Sequence, residues 1–264
     1  MSSLYLRDDL DAADVAPGDA VELAGVEARH ALTVNRTRLG EQLAIGNARG
    51  LIVRGIVTGA RDGVLSLTVE TVEDSARPRP MVTLVQALAK GDRDELAIQA
   101  ATELGVDRVV PWAAERSVSR WAGPKLAKGR ERWRTIVREA AKQSVRAWVP
   151  EVGELAALSD IASLMPSSRV LVLEPTAALA LTGITIAEPT VMSLADDDRE
   201  RRGTGTSDRD LVLVVGPEGG IAPSELSALT AAGAEAVRLG GSVLRTSTAG
   251  PAALAAINVI LRRW

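Results

Sequence analysis

The sequence predicts an α/β protein in which a small β-barrel precedes helices packed on a mostly parallel sheet. Short strand-like segments fill the first 73 residues, and from residue 81 onward apolar runs alternate with helical patterns. Between these regions, residues 74–80 form a polar stretch with two prolines, which can continue neither a helix nor a central strand. We therefore expect a first domain over residues 1–73, a linker over 74–80 and a second domain over 81–264.

The first domain contains three strand patterns. Residues 42–47, 51–58 and 64–72 are rich in apolar and β-branched residues. The turn-forming segments Asn-Ala-Arg-Gly and Ala-Arg-Asp-Gly separate them. Short strands joined by tight turns favour a small barrel.

The second domain alternates strands with helices. The runs 169–173 and 211–215 are short and continuously apolar, as is typical of buried parallel strands. Asp92 and Glu95 match the D-x-x-E pattern that caps the start of a helix, and Gly105 can end that helix. Residues 195–210, rich in Asp, Arg, Gly and Thr, are expected to form a mobile surface insertion. The other predicted elements are strands at 81–88, 106–112 and 236–239 and helices at 126–146, 223–232 and 248–263.

The composition excludes several classes of chemistry. The chain of 264 residues has no Cys, which rules out disulfides, thiolate zinc sites, iron–sulfur clusters and cysteine nucleophiles. Its single His, His30, removes the common histidine metal sites and serine triads, so we expect no metal. No apolar run reaches the roughly 18 residues that span a bilayer, and the N-terminal segment is acidic. We therefore expect a cytoplasmic protein with no membrane partner.

Basic residues are concentrated in one tract. The formal net charge is −3, but residues 116–148 hold ten Lys and Arg against two Glu, a local charge of +8. A charge run is commonly a solvated helix face, but the size of this imbalance favours contact with RNA phosphates. Arg36 and Arg38 alternate along a predicted strand and would share one face, which also suits phosphates. The candidate RNA contacts are therefore Arg36, Arg38, Arg116, Arg120, Arg132, Arg138 and Arg146.

Four tryptophans lie in or near the basic tract. Tryptophan can stack on unpaired bases, but burial is the simpler expectation for each of these residues. They are Trp112, Trp121, Trp133 and Trp148.

Two glycine-rich loops follow consecutive strands of the second domain. Val-Val-Gly-Pro-Glu-Gly-Gly at 214–220 connects an apolar strand to a helix, and residues 239–249 follow the next strand and enter the last helix. Glycines let the backbone approach a ligand closely, and parallel sheets bind ligands beyond the carboxyl ends of their strands. The loops predict one cofactor pocket, and the alternative is a pair of ordinary strand–helix turns. Neither loop matches the dinucleotide or P-loop patterns, which disfavours a nicotinamide or ATP.

Short motifs in a particular order and spacing run through nearly the whole chain. They are His30 with Val34, Arg36, Arg38 and Gly40; Gln86-Ala-Leu-Ala-Lys-Gly91; Gln99-Ala-Ala-Thr-Glu-Leu-Gly-Val106; Glu115-Arg-Ser-Val118; Arg132-Trp133; Glu139-Ala-Ala-Lys-Gln-Ser144; Gly216-Pro-Glu-Gly-Gly220; and Leu244-Arg-Thr246 with Thr248-Ala249. Together they resemble the RsmE-type 16S ribosomal RNA uridine-N3 methyltransferases of the SPOUT class.

The resemblance implies a fold and an activity that periodicity does not supply. It implies a PUA-like RNA-binding barrel, then a methyltransferase domain with a deep trefoil knot, in a homodimer. It also implies S-adenosylmethionine as cofactor and methylation of N3 of one specific uridine in 16S ribosomal RNA of the small subunit. The implied cofactor-binding residues are Leu173, Val215, Gly216, Pro217, Glu218, Gly219, Gly220, Leu239, Gly240, Val243, Leu244, Thr246, Thr248 and Ala249.

Methylation at N3 requires that the uracil lose a proton, and a nearby cation favours the resulting anion. Arg245, in the second glycine loop, is the expected catalytic residue, and the alternative is an ion pair that holds the loop. Glu218 is expected to anchor the first loop rather than to accept a proton or to face the ammonium end of the cofactor, and His30 to be structural. The chain departs from the family at Ser247, where Glu is usual, and at Lys142, which is frequently acidic. Two other functions stay open: a SPOUT methyltransferase acting on transfer RNA, and a non-catalytic RNA-binding assembly factor.

Overall fold

The computed structural model describes residues 4–186 and 209–264, and it divides into two compact units. The first unit comprises Met1–Arg77 and Arg138–Val149, and the second comprises Pro78–Val137 and Pro150–Trp264. Most of the predicted insertion, residues 195–208, lies outside the described residues. Within the two described ranges, no helix combines the length and the apolar character needed to cross a membrane.

The first unit is built on a five-stranded sheet with the order β1-β3-β4-β5-β2. All neighbours are antiparallel except β1 and β3, which are parallel. The β4–β5 hairpin closes on Asp62 and Gly63, both with positive φ, which matches the twist of the flanking strands. The strands are β1 Leu4–Leu6, β2 Ala20–Leu23, β3 Gln42–Gly46, β4 Leu51–Arg61 and β5 Val64–Asp74.

The predicted strand through Arg36 and Arg38 is wrong. Helix α1, Gly25–Arg29, continues into a π-helical turn, His30–Val34, and both arginines lie in the loop that follows. Arg36 has φ +53, outside the strand region, and Leu39 between the loop and β3 is exposed. The segment has alternating arginines but no apolar face to bury, so tertiary packing does not hold it in the extended conformation of a strand.

Residues 138–149 belong to the first unit, although the sequence places them within the predicted second domain. Ala147 and Val149 pack on the β1 side chains Leu4 and Leu6. The buried Lys142 ammonium bonds the carboxylate of Glu27 at 3.0 Å. Because these contacts join residues far apart in sequence, no composition change marks them.

The second unit has a seven-stranded sheet in which every pairing is parallel, as predicted. Its order is β10-β12-β9-β11-β6-β7-β8, so β11 lies between β9 and β6, which both precede it in the chain. The strands are β6 Val82–Ala87, β7 Arg108–Trp112, β8 Glu151–Val152, β9 Ser168–Leu173, β10 Leu179–Ala180, β11 Asp210–Val215 and β12 Glu235–Arg238. The helices are α2 Arg93–Glu103, α3 Pro124–Gln143 (whose last residues belong to the first unit), α4 Leu158–Ala162, α5 Pro223–Ala231 and α6 Thr246–Ile260.

The start of α2 differs from the predicted D-x-x-E cap. Asp92 precedes the helix with φ +58, and its side chain makes no capping hydrogen bond. Asp94 instead accepts hydrogen bonds from the amides of Ala89 and Glu95, and burial raises the pKa of this carboxyl. Glu95 is committed to Arg132, with contacts of 2.9 to 3.2 Å. The carboxylate needed for a reciprocal cap is therefore used elsewhere.

Candidate active site

The carboxyl ends of three neighbouring strands, β9, β11 and β12, open into one cavity of about 380 Å³ in the second unit. The chain reaches these ends at Leu173, Val215 and Arg238. In parallel α/β sheets this edge is where ligands bind. The cavity is closed by the 239–249 segment, which runs from β12 into the first turn of α6.

Two glycines give the cavity its shape. A Cβ added to Gly216 would lie 2.6 Å from the Ile221 side chain, so only glycine fits this turn. Gly240 has φ +142, a conformation that residues with a side chain rarely adopt. The loops therefore expose backbone to the cavity where side chains would otherwise stand.

Thr246 connects the two loops to the neighbouring strand β6. Its buried hydroxyl donates to the carbonyl of Gly216 at 2.7 Å and accepts from Nε2 of Gln86 at 2.8 Å. Gln86 is fully buried at the end of β6, and its Nε2 also donates to the carbonyl of Ala87. One hydroxyl therefore positions the first glycine loop against both α6 and β6.

Glu218 anchors the first glycine loop to the segment before α2. Its Oε1 accepts from the amide of Lys90 at 2.9 Å and from Nη1 of Arg93 at 3.1 Å. Burial alone would raise the pKa of Glu218, but hydrogen bonds from its own amide, from the Lys90 amide and from Arg93 outweigh burial and lower that pKa. A carboxylate with a lowered pKa is a poor proton acceptor, which agrees with the anchoring role expected for it.

Three arginines line the cavity, and two of them are engaged by the protein. Arg93 pairs with Glu218, and Arg238 donates to the carbonyls of Ala177 and Ala178. The exposed side chain of Arg245 has no hydrogen-bond or ion-pair partner within 4–186 and 209–264. The ion pair considered as the alternative role of Arg245 is therefore absent from this part of the chain, and its guanidinium is available to a ligand.

The cavity brings together most of the predicted cofactor residues. Those that line it, with Arg245, are Leu173, Val215, Gly216, Pro217, Glu218, Gly220, Leu239, Gly240, Val243, Leu244, Thr246 and Ala249. Seven lining residues were not predicted: Arg93, Glu174, Pro175, Ile221, Val237, Arg238 and Ser242. Glu174 and Pro175 follow the apolar run of β9 directly, so extending the strand-end argument to β9 would have found them.

Gly219 and Thr248 do not line the cavity, so a contact of either residue with the cofactor stays a prediction. The carbonyl of Gly219 accepts from Arg116 at 3.1 Å, and a Cβ on Gly219 would meet the Arg116 side chain at 3.4 Å. Thr248 lies two residues beyond Thr246 on α6, about 200° around the helix, and is exposed.

The predicted RNA-contact arginines fall into two groups. In the second unit, Arg116 and Arg120 donate to backbone carbonyls, and Arg132 pairs with Glu95. In the first unit, Arg138 pairs with Asp8, Arg146 also has a partner, and Arg36 and Arg38 are exposed on their loop. Within the described residues, the side chains of Arg36 and Arg38 have no hydrogen-bond or ion-pair partner.

The remaining predicted residues have simple environments. His30, in the first unit, lies edge-on to Tyr5 with ring centres 6.1 Å apart. Trp112 and Trp133 are fully buried as expected, whereas Trp121 and Trp148 are partly exposed. No group of three or more His, Cys, Asp or Glu that could hold a metal ion occurs among the residues that the structure describes.

Comparison with known proteins identifies the family. The sequence profile of the RNA methyltransferase domain matches residues 76–258. The ribosomal RNA small subunit methyltransferase E of Mycobacterium tuberculosis is 44% identical over 247 residues, covering 94% of this chain and 89% of the relative. That of Bacillus subtilis is 31% identical, covering 89% of this chain and 88% of the relative.

Solved structures agree over almost the full length. The ribosomal RNA small subunit methyltransferase E of Neisseria gonorrhoeae bound to S-adenosyl methionine has a TM-score of 0.78, 26% identity and 98% coverage of both chains. A protein of Legionella pneumophila, proposed to be a methyltransferase and solved with bound SAM, has a TM-score of 0.79, 25% identity and the same coverage. A parallel sheet whose carboxyl edge is closed by two glycine-rich loops, together with these similarities, shows that the chain belongs to the ribosomal RNA small subunit methyltransferase E family.

Proposed function

We propose that this protein is an S-adenosylmethionine-dependent methyltransferase that methylates N3 of one uridine in 16S ribosomal RNA of the small ribosomal subunit. The observation that carries the proposal is the cavity at the carboxyl ends of β9, β11 and β12, which the two glycine-rich loops close. The activity in the names of the relatives and the cofactor bound in the similar structures support the same reaction.

The residues of the cavity fit this cofactor. Leu173, Val237 and Leu244 offer apolar side chains that suit a flat adenine ring. The backbone exposed at Gly216 and Gly240 can hydrogen-bond the polar edges of the ligand. When bound, S-adenosylmethionine supplies a methyl group that its sulfonium already activates.

In this reaction the protein binds the cofactor and the RNA, aligns the methyl group with the uracil N3, and assists the loss of one proton. Arg245 stabilises the uracil anion that forms when N3 loses its proton, because its guanidinium is the cavity cation that the described residues leave unengaged. Thr246 fixes the backbone next to Arg245, so the guanidinium extends from a fixed point and is ordered only when it meets the substrate. Glu218 keeps Arg93 at the cavity wall and takes no proton.

The RNA is bound by exposed arginines, and we propose the domain roles that the family resemblance implies. Residues 1–73 act as a PUA-like RNA-binding barrel, in which Arg36 and Arg38 contact phosphates. Residues 74–80 link it to a knotted methyltransferase domain over 81–264. The knot is proposed from the family resemblance, and the strand order, in which β11 lies between the earlier strands β9 and β6, is the part of the sheet that it would involve.

The protein acts as a homodimer through α2 and α6. These helices are joined by a 2.6 Å hydrogen bond from Asn258 to the carbonyl of Leu104. Each exposes a large apolar side chain, Leu96 at 56% and Val259 at 63%. Exposed aliphatic side chains on packed helices favour burial against a second subunit.

Calorimetry with S-adenosylmethionine, followed by methyl transfer to purified small subunits and to transfer RNA, tests the proposal. We expect cofactor binding and one new methyl group on a uracil N3 of the small-subunit RNA, located by mass mapping. Arg245→Ala should abolish most turnover, whereas Arg61→Ala, which removes an exposed charge of the first unit, should not. Methylation of transfer RNA alone would support the second SPOUT activity. Cofactor-independent RNA binding without methyl transfer would support an assembly factor.

A further inference from the structure

A second cavity, of about 370 Å³, lies in the second unit beside the one already described. It is formed by the segment before α2, the start of α2, the loop before α3 and the face of α3, and its walls include Lys90, Asp92, Ser119, Trp121 and Trp133. Two further acids line it, Asp94, which accepts from backbone amides, and Glu95, which Arg132 neutralises. The two cavities share a wall, because Lys90 lines the second cavity while its amide bonds Glu218, which lines the first. Nothing in the proposed methyl transfer uses this second cavity.

Trp121 and Trp133 form the aromatic part of the second cavity. Their rings meet edge to face, with centres 5.4 Å apart and planes at 79°. Trp133 is fully buried, and its indole Nε1 has no hydrogen-bond partner among the described residues. Trp121 is only partly buried, so part of its indole is open to a ligand.

Helix α3 is shaped to receive Trp121. Gly129 stands inside this helix, where glycine is less stable than alanine. A Cβ on Gly129 would lie 2.4 Å from Cε2 of Trp121, so the indole lies directly against the helix backbone. The absence of a side chain at Gly129 therefore allows Trp121 to lie here, and any other residue at position 129 would displace the indole.

The polar groups around the aromatic pair complement a nucleotide. Within the described residues, Lys90 and Asp92 make no side-chain hydrogen bond or ion pair, although both line the cavity. An ammonium suits a phosphate, and the Asp92 carboxylate, which attracts Arg132 without a direct contact, can accept hydrogen bonds from an exocyclic amino group. An aromatic platform between these groups suits the face of a base.

We propose that the second cavity binds an unpaired nucleobase of the substrate RNA, close to the methylated uridine, by stacking on Trp121. The base carries an amino group that donates a hydrogen bond to the Asp92 carboxylate, and the Lys90 ammonium contacts the adjoining phosphate. This inference rests on the proposed function, since the same RNA must reach both cavities. It adds a subsite that holds the RNA in register while the uridine occupies the first cavity.

A thermodynamic cycle between protein and RNA variants tests the proposal. Single abasic substitutions are placed at each nucleotide flanking the methylated uridine, and RNA affinity is measured for the wild type, Trp121→Ala and Trp121→Phe. Trp121→Ala should weaken RNA binding about 5- to 150-fold, the equivalent of about 1–3 kcal/mol for one stacked base at 1.4 kcal/mol per tenfold. Trp121→Phe should recover part of the loss, and cofactor affinity should stay within about threefold in both.

The abasic RNA separates stacking from a structural effect. One flanking abasic site should weaken binding to the wild type but not to Trp121→Ala, because the stacking partner is then already absent. Gly129→Ala, which displaces Trp121, should behave like Trp121→Ala, and Trp264→Ala, which removes an exposed tryptophan elsewhere, should behave like the wild type. Equal losses from every abasic site in the wild type and Trp121→Ala would overturn the subsite while leaving the methyltransferase function intact. A wild type that transfers no methyl group would instead refute the proposed function.

Discussion

Thr246 is the point where a single hydroxyl holds the candidate site together, and Thr246→Val removes that hydroxyl with little change in shape. The Gly216 carbonyl then loses a 2.7 Å hydrogen bond, and Nε2 of Gln86 loses a 2.8 Å hydrogen bond but still donates to the carbonyl of Ala87. A buried polar group left without its partner costs about 1–3 kcal/mol. Because Gln86 keeps one partner, we expect about 2–4 kcal/mol of destabilisation in total.

This loss leaves the protein folded, since single domains are commonly stable by about 5–15 kcal/mol. At about 2–4 °C per kcal/mol for a unit of this size, the melting temperature should fall by roughly 4–16 °C. Cofactor binding should weaken further than stability alone explains, because Gly216 lines the cavity and its loop is no longer held in place. We expect the free energy of cofactor binding to become less favourable by about 1–2 kcal/mol, which raises the Kd about 5- to 30-fold.

Thermal unfolding and calorimetry with S-adenosylmethionine measure both effects. Thr246→Ser keeps the hydroxyl and should retain most of the cofactor affinity, which makes it the matched control. Gln86→Leu should destabilise the protein but bind cofactor better than Thr246→Val, because Thr246 can still donate to Gly216. A Thr246→Val protein with wild-type cofactor affinity would show that this hydrogen bond does not position the loop, and the reasoning would be refuted.

Three further predictions concern charged residues. Arg245→Ala should reduce turnover roughly 30- to 1000-fold, a loss of about 2–4 kcal/mol of transition-state stabilisation, while cofactor affinity stays within about tenfold of the wild type. Arg245→Lys should recover little of the turnover, because lysine lacks the planar donor fork of arginine. Near-normal turnover of Arg245→Ala in saturating substrate would show that Arg245 is structural. Replacing both Arg36 and Arg38 by Ala should weaken RNA binding and reduce its salt slope by about 0.7–0.9 for each phosphate that the protein no longer neutralises, and an unchanged slope would remove this loop from the interface. Because the folded-state pKa of Glu218 lies below the ordinary value of 4.5, its contribution to stability is complete above that pH and is lost as pH falls through the folded-state pKa. Glu218→Gln should therefore flatten the loss of stability measured from about pH 6 to about pH 3, and an identical acid profile would contradict the assignment.

The residues of the glycine loops show how much of a binding site can be predicted from local sequence. Gly216 stands where a Cβ would clash, directly after the apolar run of β11, and Gly240 follows β12 with a φ that side chains rarely allow. Since the position of a strand end and the need for glycine are both local properties, most of the cavity lining could be predicted. Local sequence does not show that Gly219 stands outside the cavity lining, because its carbonyl contacts Arg116, which is distant in sequence.

Arg36 and Arg38 show the limit of periodicity. Two residues of like type at a spacing of two match a strand, but a strand forms only where its alternate side chains are buried. Here the neighbouring apolar side chain Leu39 is 65% exposed, and the segment is a loop. The same limit applies to residues 138–149, whose membership of the first unit follows from partners more than 100 residues away.

The sequence by itself therefore determined the parallel α/β class, the loops that form the cavity and the family, because each depends on residue order over short spans. Only the tertiary structure decided that β11 lies between β9 and β6, that Gln86 reaches Thr246 across 160 positions, and that Trp121 lies against Gly129 beside a second cavity. These arrangements arise when distant segments compete to bury the same apolar surface and to satisfy the same buried polar groups. Which segments pack together depends on all the contacts of the folded unit, so it cannot be read from any short stretch of the sequence.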